Sequence, residues 1–183
     1  MLAALAALIL AQEVVPTAPS EAPPAPRPAA VAAAPLPSTP PGDLSTVPPL
    51  PEGPLLAVAK SDKGETFLVV GRAARDGDTA DFWTYEVFAP PVEISPGVLA
   101  VQGLAHHEAN CAAKTDQTVA SAGYDESGTP VVALAASAQA PISAGSAYGM
   151  IADVVCRGVP LPKASQIQGH AAALAQARQP AGG

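Results

Sequence analysis

The distribution of proline constrains this chain more than any other feature. Fourteen of its 22 prolines lie in residues 1–54. Proline fixes φ and removes a backbone donor, so a segment this rich in it forms neither a helix nor a central strand. We expect residues 12–54, built from Pro, Ala, Ser and Thr, to be a disordered tether. Residues 55–159 then form the folded domain, and residues 160–183 form an Ala/Gln-rich tail that is partly helical or disordered.

The first eleven residues, MLAALAALILA, have the length of the apolar region of a signal peptide. The pattern is weak, because no Lys or Arg precedes the apolar run. If cleavage follows Ala11, the residue three positions before the cut is Ile9 rather than a small one. We interpret residues 1–11 as a weak signal peptide, and one explanation of its missing basic start is that the true start lies upstream. No run of 18 apolar residues occurs, so we predict no transmembrane helix.

The charge of the chain excludes two classes of partner. Its formal net charge is −7, and residues 55–159 contain six Lys/Arg against twelve Asp/Glu. Nucleic acids and anionic lipid surfaces are bound through clustered Lys and Arg, which this sequence lacks. We therefore expect a protein partner in the cell envelope or on a surface, and no nucleic acid.

Residues 55–159 alternate between strand patterns and turn residues. Residues 66–70, 82–88, 97–104 (continuing towards Cys111), 118–124 and 130–136 have the β-branched, aromatic or alternating character of strands. Residues 125–128 form a hairpin loop between the last two. Residues 146–156 have helical periodicity, with Ser146 as N-cap. The predicted fold class is α+β, a small antiparallel sheet of five to six strands with one C-terminal helix packed on it, closed by one disulfide.

Cys111 and Cys156 are the only cysteines. In an exported protein an even pair predicts a disulfide. Two buried free thiols and a redox pair are the alternatives. The cysteines are 45 positions apart and form no CxxC motif, which weighs against a redox role.

These features together resemble the surface-adhesin protein E-like domain of Gram-negative bacteria over about residues 55–158. The matching parts are the strand with Trp83 and Tyr85, the later strand with Cys111, the hairpin at residues 124–128, and the segment at residues 141–146 that leads into a helix ending at Cys156. The resemblance implies a sheet packed on a helix, a disulfide between Cys111 and Cys156, and in some members a homodimer. Members that act as adhesins use Lys-rich segments, which this chain lacks.

His106, His107 and Glu108 form the one group of neighbouring residues that suggests chemistry. On a strand, His106 and Glu108 would share a face and His107 would point to the other, so the three cannot hold one ion. No GxSxG, P-loop or GxGxxG motif occurs, and we expect no cofactor. Trp83 and Tyr85 are candidate binding residues, although aromatic residues at strand spacing also build cores.

The sequence therefore predicts an exported, non-enzymatic envelope protein that presents a small interaction domain, adhesin-like in kind, on a flexible tether. Its expected location is the periplasm or the outer surface of a Gram-negative cell. The alternative is a small periplasmic metal-binding protein or hydrolase centred on His106 and Glu108. A homodimer is left open as one form of the partner interaction.

Overall fold

The computed structural model describes residues 43–158 and 163–179. The predicted signal peptide, residues 12–42 of the predicted tether, residue 159 of the predicted domain, and residues 160–162 and 180–183 of the tail lie outside the described residues. Within them, eight strands and two helices follow one another along the chain. The strands are β1 (Pro54–Ser61), β2 (Gly64–Asp76), β3 (Thr79–Ser95), β4 (Val98–Asn110), β5 (Thr115–Tyr124), β6 (Pro130–Leu134), β7 (Ala140–Pro141) and β8 (Gln166–Gln168). The helices are α1 (Ala147–Arg157) and α2 (Gly169–Ala177).

All eight strands belong to one antiparallel sheet. Its order is β6-β5-β4-β3-β2-β1-β8, and the two-residue β7 pairs with a further part of β5. The first six strands are therefore a meander in which each strand pairs with the next. Glycines with positive φ make the turns, for example Gly97 between β3 and β4 (78°) and Gly128 between β5 and β6 (83°). The meander places neighbouring segments of sequence side by side, so that β3 and β4 form the centre of the sheet.

One face of the sheet, the helix face, is covered by α1. Ser146 caps this helix by accepting from the backbone N–H of Gly149 at 3.0 Å, and Gly158 ends it in the left-handed region. The helix expected at residues 146–156 is thus present. Its buried residues Ile151, Ala152 and Val155 form one apolar cluster with four residues of the sheet: Leu68, Ala80, Phe82 and Ala109.

The other face, the flank face, is covered over one half by the two segments that flank the strands. Residues 43–54 and α2 lie over a second core cluster: Leu50, Leu55, Phe67, Val69, Tyr85, Val87, Leu104, Ala122, Tyr124 and Ala173. Pro51 is buried as well. The flanking segments hold each other, because the backbone N–H of His170 donates to Pro51 O at 2.8 Å and that of Gly169 donates to Gly53 O at 3.1 Å. Residues 43–54 are therefore part of the packed domain.

The predicted count of five to six strands is wrong, since the sheet has eight. Sequence periodicity did not indicate β1, where a bulge between Ala57 and Ala59 interrupts the alternation of buried and exposed residues. β7 and β8 have two and three residues, which is too short for any periodic signal. Both short strands form because longer strands offer them a free edge.

The disulfide joins α1 to the end of β4. Cys111 and Cys156 are bonded, with their Cα atoms 5.5 Å apart. Cys111 follows the last residue of β4, and Cys156 lies in the last turn of α1. The predicted pairing is confirmed, and the described residues contain no free cysteine.

Candidate functional site

The half of the flank face that residues 43–54 and α2 leave uncovered is the candidate site, and we call it the open half. It carries five polar or aromatic side chains: Arg72, Asp81, Trp83, His106 and Glu108. Register places them, because Trp83 on β3 pairs with His106 on β4, and Asp81 pairs with Glu108. Directly paired residues of antiparallel strands project from the same face. Arg72, Asp81 and Glu108 are exposed, while Trp83 and His106 are half-buried.

Trp83 is held between side chains from the two neighbouring strands. The imidazole of His106 stacks on the indole with ring centroids 4.7 Å apart and planes 5° from parallel. The guanidinium of Arg72 lies 5.0 Å from the indole centroid. Such contacts stabilise by about 0.5–1 kcal/mol each at exposed sites. They fix the orientation of a large aromatic side chain on a surface open to solvent.

His106 is in turn fixed by a carboxylate. Its Nε2–H donates to Asp81 Oδ2 at 2.7 Å. Glu108 stands opposite Asp81 and is exposed.

His107 lies on the helix face, as the strand geometry requires. Among residues 43–158 and 163–179, no group of three or more His, Cys, Asp or Glu side chains is arranged to hold a metal ion.

Tyr85 is the remaining one of the four candidate binding residues predicted from the sequence. It lies in the half of the flank face that residues 43–54 and α2 cover. It is fully buried, and its hydroxyl donates to Gln102 Oε1 at 2.7 Å. Burial raises the pKa of this phenol, against a smaller opposing effect of the Arg178 charge. The structure therefore separates Tyr85 from Trp83, His106 and Glu108, which share the open half.

His107 belongs to a polar chain on the helix face that the sequence did not indicate. In the neutral imidazole, Nδ1–H donates to Asp116 Oδ2 at 3.2 Å and Nε2 accepts from the Thr84 hydroxyl at 3.2 Å. The rings of Phe82 and Tyr148 lie 5.1 Å and 4.9 Å from the imidazole. The order hydroxyl–imidazole–carboxylate is that of acyl-transfer enzymes. Thr84 is completely buried, however, so its oxygen is closed to any substrate while α1 stays in place.

Tyr148 ties α1 to this polar chain. Its hydroxyl donates to Glu86 Oε1. Burial, followed by the charge of Glu86, raises the pKa of Tyr148. The phenol is thus neutral in the folded protein, and the network positions α1 on the sheet.

A groove of about 210 Å³ lies beside Trp83. One wall is formed by residues 46–48, and the other by the last residues of β6 and Ala135. We call it the Trp83 groove, and it is lined by Thr46, Val47, Pro48, Trp83, Leu104, Ala120, Ser121, Ala122, Ala133, Leu134 and Ala135. None of these side chains is charged. Sequence reasoning missed this groove, because it forms only when residues 46–48 pack beside the sheet.

No helix among the described residues has the length and hydropathy needed to cross a bilayer. No protein-family profile matches the sequence, and no curated protein matches it. Among solved structures, the chain is similar to Haemophilus influenzae protein E, with a TM-score of 0.45 and 15% sequence identity, over 61% of this chain and 91% of that one. This likeness is distant, and membership of the surface-adhesin protein E-like family stays a prediction from the sequence motifs.

Proposed function

We propose that this chain is an exported envelope protein without enzymatic activity, related to the surface-adhesin protein E-like family, whose domain binds a protein partner through the open half. The observation that carries the proposal is Trp83, held in a fixed orientation by Arg72 and His106 on an uncovered sheet face.

An ordered aromatic side chain of this kind suits a binding surface. Trp and Arg are among the residues that contribute most to protein–protein affinity. Because Trp83 is already immobilised, a partner that covers it loses less side-chain entropy on binding. The surrounding charges are of both signs, with Arg72 beside Asp81 and Glu108, and such a mixture favours a specific protein over a uniformly charged ligand.

Two features support export to the periplasm or the outer surface of a Gram-negative cell. Disulfides persist in oxidising compartments and are rare in the cytosol of ordinary bacteria, and this domain closes one between Cys111 and Cys156. The apolar run at residues 1–11 and the Pro/Ala-rich sequence that follows suit a secreted domain on a tether. Intact mass under non-reducing conditions, on protein recovered from the periplasm, is expected to be lower by two hydrogen atoms than that of the reduced chain.

Site-specific photocrosslinking in the native envelope tests the binding surface. A photoreactive amino acid at Glu108, on the open half, is expected to give one discrete adduct. The matched control is Ala172, which is exposed on α2 over the covered half. Arg72→Glu is expected to reduce the Glu108 adduct at least threefold. Equal adduct patterns at positions 108 and 172 would contradict the proposal, and an adduct of twice the chain mass would identify the partner as a second copy.

Metal analysis tests the competing assignment. A metal-binding protein or hydrolase centred on His106 and Glu108 would contain stoichiometric zinc after purification without chelators. That result would overturn the non-enzymatic proposal.

A further inference from the structure

The Trp83 groove has the size and chemistry of a peptide site. Its volume of about 210 Å³ is smaller than the roughly 300–1,000 Å³ typical of small-molecule pockets. It fits one or two side chains of an extended chain that continues beyond its ends. None of its lining residues is charged, and most of them are apolar. A charged ligand would lose hydration there without gaining an ionic partner, so the occupant is neutral.

The same face already holds a proline-rich stretch of this chain. Residues 47–51 (VPPLP) run over the core in an extended conformation, with Val47 at φ −70° and ψ 127°. Tyr124 donates its hydroxyl to Pro48 O at 2.6 Å, and Leu50 is only 7% exposed. This is how polyproline II segments are generally bound, with aromatic donors on their carbonyls and an aliphatic residue in a pocket. The stretch forms one wall of the Trp83 groove through Val47 and Pro48.

The groove beside this stretch also has an aromatic wall but is open to solvent. Trp83 supplies that aromatic surface. Ala120, which pairs with His106 on the same face as Trp83, is exposed, so apolar surface here faces water.

We propose that the Trp83 groove binds an extended proline-rich peptide with an aliphatic residue between prolines, supplied by the protein partner. Polyproline II is preformed, so such a peptide loses little entropy on docking. This inference rests on the proposed function, because it names the partner chemistry of the surface around Trp83.

Trp83 itself reports the binding, because it is the only tryptophan in the chain. The probe is the peptide APLPSTPP, the sequence of residues 34–41, and its control is AALASTAA. Both are titrated into the full-length protein while the emission of Trp83 is followed. To remove competition from the chain's own copy, the titrations are repeated with Pro35, Pro37, Pro40 and Pro41 all changed to Ser.

The expected result is a saturable shift with the proline peptide and at least tenfold weaker binding of the alanine peptide. Ala120→Arg, which places a charge in the groove, is expected to weaken binding at least tenfold. The matched control Ala172→Arg, exposed on α2, is expected to leave it unchanged. Saturation only in the proline-to-serine protein would support the groove chemistry and identify the chain's own sequence as a competitor.

Absence of saturation in both proteins, or equal binding of the two peptides, would overturn the inference. Its failure is distinct from failure of the proposed function. A discrete adduct at Glu108 together with no peptide binding would leave a binding surface whose partner is not proline-rich. Loss of the Glu108 adduct would remove the binding surface itself.

Discussion

At the turn between β1 and β2, a single glycine permits the close approach of two strands. Gly64 has φ of 133°, and a Cβ built there would lie 1.9 Å from the carbonyl oxygen of Val87 on β3. Any side chain at this position must therefore move the backbone of the central strand. Gly71, on β2, has no atom within 4 Å of an added Cβ and a φ open to L residues. The two glycines differ in what they tolerate, although the sequence alone does not distinguish them.

Gly64→Ala is expected to lower the free energy of unfolding by at least about 2 kcal/mol, because it combines a backbone clash with a disfavoured φ. Gly71→Ala is expected to change it by no more than about 0.5 kcal/mol. Urea unfolding followed by Trp83 fluorescence measures both. Equal stability of the two variants would show that β2 and β3 are not this close at Gly64.

At the same scale, the sequence predicted some site residues and missed others. The alternation on a strand is enough to place His106 and Glu108 on one face and His107 on the other. The partners Arg72, Asp81, Thr84 and Asp116 depend on the register between strands, which bulges at residues 68–73 and at 106–107 shift. A single sequence carries no signal for that register.

At the scale of elements, the C-terminal segment makes contacts that the sequence did not predict. Its sequence predicted a partly helical or disordered tail; the described part contains the helix α2, which buries Ala173 completely, and β8, which pairs with β1. Gln176 donates to the buried carboxylate of Glu65 at 2.9 Å. The alanine-rich helix shows no clear apolar stripe, because its small side chains pack closely without a strong periodic pattern. Long strands and the capped helix α1 were predictable, while contacts made by short segments were not.

Ala173→Glu is expected to destabilise the domain by about 3 kcal/mol, since it places an unpaired carboxylate in the core. Ala172→Glu makes the same chemical change at the neighbouring exposed position and is expected to alter stability by less than about 0.5 kcal/mol. Chemical denaturation measures the free energies, and hydrogen exchange of the β1 amides reports release of β8. If both variants were equally stable, the docking of α2 on the sheet would be refuted.

The disulfide is the second determinant of stability at this scale. Its loop spans 45 residues, for which the chain-entropy model gives roughly 4 kcal/mol. Cys111→Ser combined with Cys156→Ser is expected to lower the free energy of unfolding by about that amount. Adding a reductant to the unmodified protein serves as control and should reproduce the loss, with no further effect on the double variant. A loss under 1 kcal/mol would mean that α1 is held by packing alone.

At the scale of the whole molecule, the three tyrosines are withdrawn from solvent: Tyr85 and Tyr124 are buried in the core of the flank face, and Tyr148 is half-buried on α1. Burial raises the pKa of Tyr85 and Tyr148, and it raises the pKa of Tyr124 to about 12. The folded protein therefore keeps protons that the unfolded chain releases near pH 10. Stability from these groups is complete below pH 10 and is lost as pH rises above it.

Alkaline titration tests this link between tyrosine ionisation and folding stability, because the chain has no tyrosine besides these three. Tyrosinate absorbance is expected to stay flat through pH 10 and then rise together with the loss of the circular dichroism of the sheet. A third of the amplitude appearing with a midpoint near pH 10, before unfolding, would show that one tyrosine is exposed to solvent. Fully unfolded protein in urea gives the reference midpoint.

The hydrogen bonds between the two flanking segments, from Gly169 and His170 to Gly53 and Pro51, also determine the order in which the domain is completed. Pro51 and His170 are 119 positions apart, and β1 precedes its edge partner β8 by most of the domain. During synthesis or translocation from the N-terminal side, β1 can pair with β2 early, while its outer edge waits for residues 166–168. Residues 43–54 likewise receive their His170 and Gly169 donors last. The chain thus stays incompletely closed until its C-terminal segment arrives, so its last contacts are long-range ones.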